Sequence, residues 1–154
     1  MTNTEARKQA RIGVIRTLKN AGLVEGISLS NEKLLATRDT TFWHGVVRNE
    51  TVRAKDNYVT WHIPASGAVA RADNKINARE IVIAVDVFSK RSFDSEQNHK
   101  LLDKLETAFD ENGFEVELAS EMYENDTQLF HYPMTLYKTI YAGDICGTTA
   151  SAKS

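Results

Sequence analysis

Apolar positions recur most densely between residues 80 and 88, where Ile81, Ile83, Val85 and Val87 alternate along one face of a strand. Val82, Ala84 and Phe88 make much of the second face apolar as well, the pattern of a strand that is central or covered on both sides. Residues 95–112 switch to helical spacing: Leu101, Leu102, Leu105, Ala108 and Phe109 form a single stripe. Asp94 with Gln97 three positions later reads as a capping box, and Asn112-Gly113 as the stop. Strict alternation returns at Phe114, Val116 and Leu118 against Glu115 and Glu117, which predicts a strand with one wet face. Residues 121–127 read as a turn. In the strand predicted over 128–141, Phe130, Tyr132, Met134, Leu136 and Ile140 share a face interrupted by Lys138. Pro133 argues that the first half of that strand is an edge or bulged.

Ahead of this block, residues 4–21 predict a helix with Ile12, Ile15 and Leu18 on one side and basic residues on the others, stopped near Asn20 and Gly22. Those basic residues read as a solvated face in preference to a nucleic-acid surface. From residue 23 to 57 the periodicity weakens. The aromatic run Phe42-Trp43-His44 within it reads as core before binding site. Residues 58–63 predict a strand stopped by Pro64, with Val59, Trp61 and Ile63 toward the core. The small, polar residues 65–78 predict a long loop that reaches a neighbouring subunit. The expected architecture is α+β: an antiparallel or mixed sheet of four or more strands with two main helices packed on one face. It forms a single domain over residues 1–142, followed by a flexible tail over 143–154.

Composition narrows the chemistry. With 154 residues, 42% hydrophobic and a net charge of -2, the chain has the make-up of a soluble domain with no general attraction to nucleic acid or anionic membranes. Nothing approaches the roughly 20 apolar residues of a membrane span. One cysteine, Cys146, permits no internal disulfide and no zinc cluster. Phosphate-binding glycine loops, nucleophile elbows and zinc-protease motifs are missing from the sequence. His99 and Asp103 have a spacing that suits a metal but equally a surface pair. The carboxylates Glu115, Glu117, Glu121, Glu124 and Asp126 read as an acidic surface. The expectation is no enzyme, no cofactor and no metal.

The order of elements does carry a resemblance. A leading helix is followed by YVTWHIP, by the strand IVIAVDVFSK, by the helix HKLLDKLETAFDENGF and by an aromatic strand after an acidic turn, YENDTQLFHYPMTLYKTIY. In this order, over about residues 55–141, the chain resembles the tail terminator (tail completion) proteins of long-tailed phages, and more loosely other small neck proteins between head and tail. The resemblance implies a virion protein, made in the host cytoplasm, that forms a ring, typically of six subunits in that family, capping the tail tube and joining it to the head. Its partners would be further copies of itself, the tail-tube protein and a head–tail connector, with DNA passing through and no sequence-specific binding. A ring needs a heterologous interface, for which Ile81, Val82, Phe88, Phe130, Tyr132 and Tyr137 are candidates, with Glu115, Glu117 and Glu121 as candidate channel-lining acids. The competing readings are another tail-tube or head-closure subunit, and a small α+β enzyme or ligand-binding domain with a concave polar site.

Overall fold

A computed structural model describes residues 1–23, 35–36, 40–45 and 56–144 of the chain. The N-terminal helix α1 (Asn3–Asn20) opens on a capping box: the Thr2 hydroxyl accepts from Glu5 N–H, and Glu5 returns its carboxylate to Thr2 N–H. It closes on a Schellman motif, with Gly22 at φ 68° and Leu23 N–H donating to the Leu18 carbonyl. Leu18 and Leu23 are both buried, which supplies the apolar contact of that motif. The buried stripe of α1 is Ala6, Ala10, Val14 and Leu18. This corrects the stripe expected from Ile12 and Ile15, which are only half-buried: the small alanines let the helix sit close to the sheet.

Short strands β1 (Leu35–Ala36) and β2 (Thr40–His44) precede the long strands β3 (Asn57–Ala72) and β4 (Lys75–Ser89). Helix α2 (Glu96–Glu111) follows, then β5 (Glu115–Leu118), β6 (Met122–Glu124) and β7 (Leu129–Tyr141). The sheet order is β1-β2-β3-β4-β7-β5, with β6 also paired to β7. Every pairing is antiparallel except β2 with β3. Strand β4 is therefore central, as its two apolar faces predict. The fold is α+β, with both long helices on one face of the sheet.

The core forms where the ladders align apolar partners between sheet and helices. Val59 pairs with Val87, Trp61 with Val85, Val85 with Met134 and Ile83 with Leu136. These close on Val14 and Leu18 of α1 and on Leu102, Leu105 and Phe109 of α2. Truncating Ile83 or Leu136 to Ala should cost about 2–5 kcal/mol, a large part of the ~5–15 kcal/mol that holds a typical domain together.

Helix α2 starts at Ser95, and no side-chain cap is made there, so the box expected from Asp94 and Gln97 does not form. Gln97 accepts instead from Arg91. The preceding loop is held by Asn98, which is buried and donates to Ser89 Oγ and to the carbonyls of Arg91 and Ser92. The end of α2 repeats the motif of α1: Gly113 is at φ 77°, and Phe114 N–H donates to the Phe109 carbonyl. The Phe109 and Phe114 rings meet edge to face at 5.3 Å.

Four sequence expectations are overturned in the strands. Pro64 does not end β3, because the register against β4 shifts between His62 and Ala65 and a bulge absorbs the imino acid. Residues 65–78 are not a loop: β3 and β4 run on as a hairpin to a two-residue turn, Asp73-Asn74, at φ 50° and 60°. Positive φ at both positions is the turn that suits strand twist, and Asp and Asn tolerate it. Pro133 does not mark an edge, since β7 lies between β4 and β5. Its carbonyl accepts from Ala119 N–H, so its missing N–H falls on the same side, where β5 has ended and β6 has not begun. The expected turn at 121–127 contains β6. Residues 142–144 form a helical turn that takes in the first two residues of the expected tail, and 145–154, Cys146 among them, lie outside the described residues.

Candidate functional site

With both long helices on one face, the opposite face of the sheet carries no long helix among the described residues. Register builds a row of rings across it. Tyr58, Phe88 and His131 are direct partners on β3, β4 and β7. Tyr58 stacks on Phe88 with centroids 4.6 Å apart, and Phe88 on His131 at 4.4 Å, both nearly parallel. Leu129 packs against the same group.

His131 is also bracketed by acid. Its Nε2 lies 2.7 Å from Asp86 Oδ1 on β4, a hydrogen bond. Its Nδ1 lies 3.0 Å from Glu124 Oε1 on β6, a close ionic contact without the alignment of a hydrogen bond. The other Glu124 oxygen accepts from the Thr127 hydroxyl. The imidazole, 14% exposed, thus ties three strands together. A general base must reach a substrate proton, whereas this ring has both nitrogens against carboxylates and one face on Phe88. The geometry is that of a structural tie.

The second feature of this surface is an edge. Strand β2 pairs with β3 only from Asn57 to Trp61. Beyond that, from His62 to Ala72, no strand among the described residues pairs with the outer side of β3. The sequence there is Ala65-Ser66-Gly67-Ala68-Val69-Ala70, uncharged and small, with Val69 56% exposed. An extended edge without charges is a template for another strand. Past Ala78, where β4 leaves β7, the arm is a two-stranded ribbon, and such a ribbon is marginal in isolation. Met1 supports it from one side, its ammonium donating to the Ile76 carbonyl.

The candidate interface residues are not brought together as one patch. Ile81 is fully buried under the helices and cannot meet a neighbour; its alternation with Val82 puts it on the core face. Phe130 and Tyr132 also turn to the core face, half-buried, with Tyr132 against Phe93 at 5.4 Å. Val82, Phe88 and Tyr137 do lie on the helix-free face, half-buried.

Nor do the acids form one row. Glu115 and Glu117 are exposed on β5, and Glu117 accepts from the Tyr137 hydroxyl at 3.0 Å. That bond, then the charge of Glu117, then those of Glu115 and Glu80, hold the Tyr137 phenol above its ordinary pKa. Glu121 points elsewhere: its carboxylate accepts from Phe93 N–H at 2.6 Å and from the Ser92 hydroxyl, bracing the loop ahead of α2. Its carboxylate is engaged within the subunit, apart from Glu115 and Glu117 on β5.

Phe42 is buried, as the core reading of the aromatic run expects. His99 and Asp103 lie along α2, and among the described residues no group of three His, Cys, Asp or Glu side chains is placed to hold a metal ion. No helix among the described residues is long and apolar enough to cross a membrane. The ring row and the His131 bracket follow from strand register, which the alternation of each strand alone does not reveal. No protein-family model matches the chain, and a search of curated proteins finds no match to it.

Proposed function

We propose that the chain is a structural subunit of a phage particle, of the tail terminator kind, that closes into a ring capping the tail tube at its junction with the head. The observation that carries the reading is the β3 edge from His62 to Ala72 with its projecting hairpin. An edge that is uncharged from Ala65 to Ala70, with Arg71 beside its tip, is a liability in a lone subunit and an asset in an assembly. Pairing by that edge with a different surface of the next copy is heterologous, and a heterologous contact closes into a ring when its rotation permits. Strand β5 ends the sheet among the described residues, so its outer edge can receive that strand, with the half-buried Val82 and Tyr137 on the helix-free face beside it. In this reading the protein is not an enzyme, and it resides in the virion with the tail-tube and connector proteins as neighbours. Glu115 and Glu117 then present acid toward the DNA path, where like charge keeps DNA from sticking. Reversing both to Lys should slow DNA ejection.

The test is light scattering behind a sizing column, with negative-stain microscopy, on the chain alone and after mixing with tail tubes. Closed rings of about six copies are expected. A monomer under both conditions overturns the proposal.

A further inference from the structure

Strand β6 is held to β7 by few contacts. Its backbone pairs Met122 with His131, Tyr123 with Phe130 and Glu124 with Leu129. Met122 and Tyr123 are exposed, although the Tyr123 ring meets Phe130 at 5.0 Å. An element that buries so little opens locally at small cost. Its N-terminal side is anchored, because Glu121 accepts from Phe93 N–H and the Ser92 hydroxyl. The remaining tie is Glu124 Oε1 against His131 Nδ1 at 3.0 Å, with the Thr127 hydroxyl holding the other carboxylate oxygen. The sign of that contact depends on one proton. Nε2 makes the shorter, aligned bond to Asp86 at 2.7 Å, so a neutral imidazole places its single N–H there. Nδ1 then turns a lone pair on a carboxylate, and the contact repels. An imidazolium carries a proton on both nitrogens and attracts both acids. Charge holds Glu124 without help from hydrogen-bond alignment.

We infer that β6 is a pH-operated flap, shut over the edge of β7 while His131 is an imidazolium and released when the ring is neutral. Histidine is the side chain whose charge changes between about pH 5 and 8. The attraction is therefore present toward the acid end of that range and is lost as pH rises. The groups facing the ring are Asp86 from β4 and Glu124 from β6, with Phe88 stacked on it. Tyr58, beyond Phe88 on β3, and Lys90, just past the end of β4, have interactions of their own, and Asp126 is exposed in the turn after β6. Release uncovers the outer side of β7 from Leu129 to His131, which β6 alone pairs among the described residues. An uncovered strand edge accepts another strand, so the charge on one imidazole gates access to that edge. The inference stands on the contact between β6 and β7 and does not depend on ring formation.

The test is hydrogen exchange with mass spectrometry on the full chain, below its assembly concentration, from about pH 5.5 to 8. Rates are corrected for the intrinsic pH dependence of amide exchange. Protection of peptides spanning residues 120–131 should fall at least about threefold across the range, while peptides from the centre of β4 keep theirs. Glu124→Gln replaces the carboxylate with an uncharged amide, and its profile over residues 120–131 should be flat. His99→Gln removes an exposed histidine on α2 and should keep the wild-type profile. Circular dichroism checks that each variant is folded. A wild-type protection that does not change with pH, or that rises with it, would overturn the flap. So would a wild-type profile retained in Glu124→Gln, since the titrating contact would then lie elsewhere. Parallel loss of protection in β4 would also overturn it, because the whole domain would then be responding.

Discussion

Asn98 directs the two N–H bonds of one buried amide nitrogen at three acceptors in the loop between β4 and α2, Ser89 Oγ and the carbonyls of Arg91 and Ser92. Asn98→Ala leaves the two carbonyls without this donor, while Ser89 Oγ keeps Arg91 N–H, and should cost about 2–3 kcal/mol, read as a lowered midpoint in urea unfolding. Asn98→Asp should be worse, because a carboxylate would then face those carbonyls. At the other end of the molecule, Glu117→Gln removes the charge that holds Tyr137 protonated. Difference ultraviolet titration of variant against wild type should show one tyrosine ionising at lower pH. An unchanged titration would mean the Tyr137–Glu117 bond is not formed in solution. Neither residue is conspicuous in the sequence: Asn98 looks like one more polar position of a helix, and Glu121 like one more surface acid. Asn98 acts on an irregular loop 6 to 9 positions back and Glu121 on partners 28 and 29 positions away, and neither relation writes a period into the chain.

Elements were more legible, because each writes its own period into the chain. The core faces of β4, β7 and α2 follow from their alternation and stripe, and both helix stops follow from Gly22 and Gly113. Those glycines make a graded prediction. Gly22→Ala meets no atom within 4 Å, so its cost is the left-handed backbone alone, about 1 kcal/mol. At Gly113 a new Cβ would come 2.8 Å from Lys138 Nζ, which donates to the Asn112 carbonyl and sits over the Phe114 ring. Gly113→Ala should therefore lower stability by about 1 kcal/mol more than Gly22→Ala, since the lysine must swing away from both contacts. The start of α1 carries a pH signature. Thr2 N–H, and then its hydroxyl, hold the Glu5 carboxyl below the ordinary carboxylate pKa. A depressed folded-state pKa stabilises above the unfolded value and is lost as pH falls through the folded one. Glu5→Gln should flatten the acid limb of a thermal-stability profile and lower the plateau above it, because the stabilisation that wild type gains there is absent. Where elements were misread, a special residue was taken at face value. Pro64 and Pro133 each read as an interruption, yet one sits in a bulge and the other opposite a gap between neighbouring strands. The arm at residues 65–78 has no buried face, so it shows no apolar alternation; only its Asp-Asn turn could have signalled a hairpin.

On the scale of the whole molecule, the account turns on what lies beside β3. The sheet buries one face under two helices, leaves the other with a row of stacked rings, and carries β3, uncharged from Ala65 to Ala70, past the limit of its neighbour β2. Placing Lys at position 69 puts charge on that edge without touching the core, since Val69 is 56% exposed. Val69→Lys should leave the unfolding free energy within about 0.5 kcal/mol of wild type while preventing assembly. Hydrogen exchange followed by mass spectrometry reads the edge directly, amide by amide, at concentrations below and above assembly. Pairing of β3 with the next copy predicts that peptides spanning residues 62–72 gain protection as the particle mass rises, and that Val69→Lys abolishes the gain. Assembly that leaves those peptides exchanging at the monomer's rate would place the subunit contact elsewhere and contradict the account.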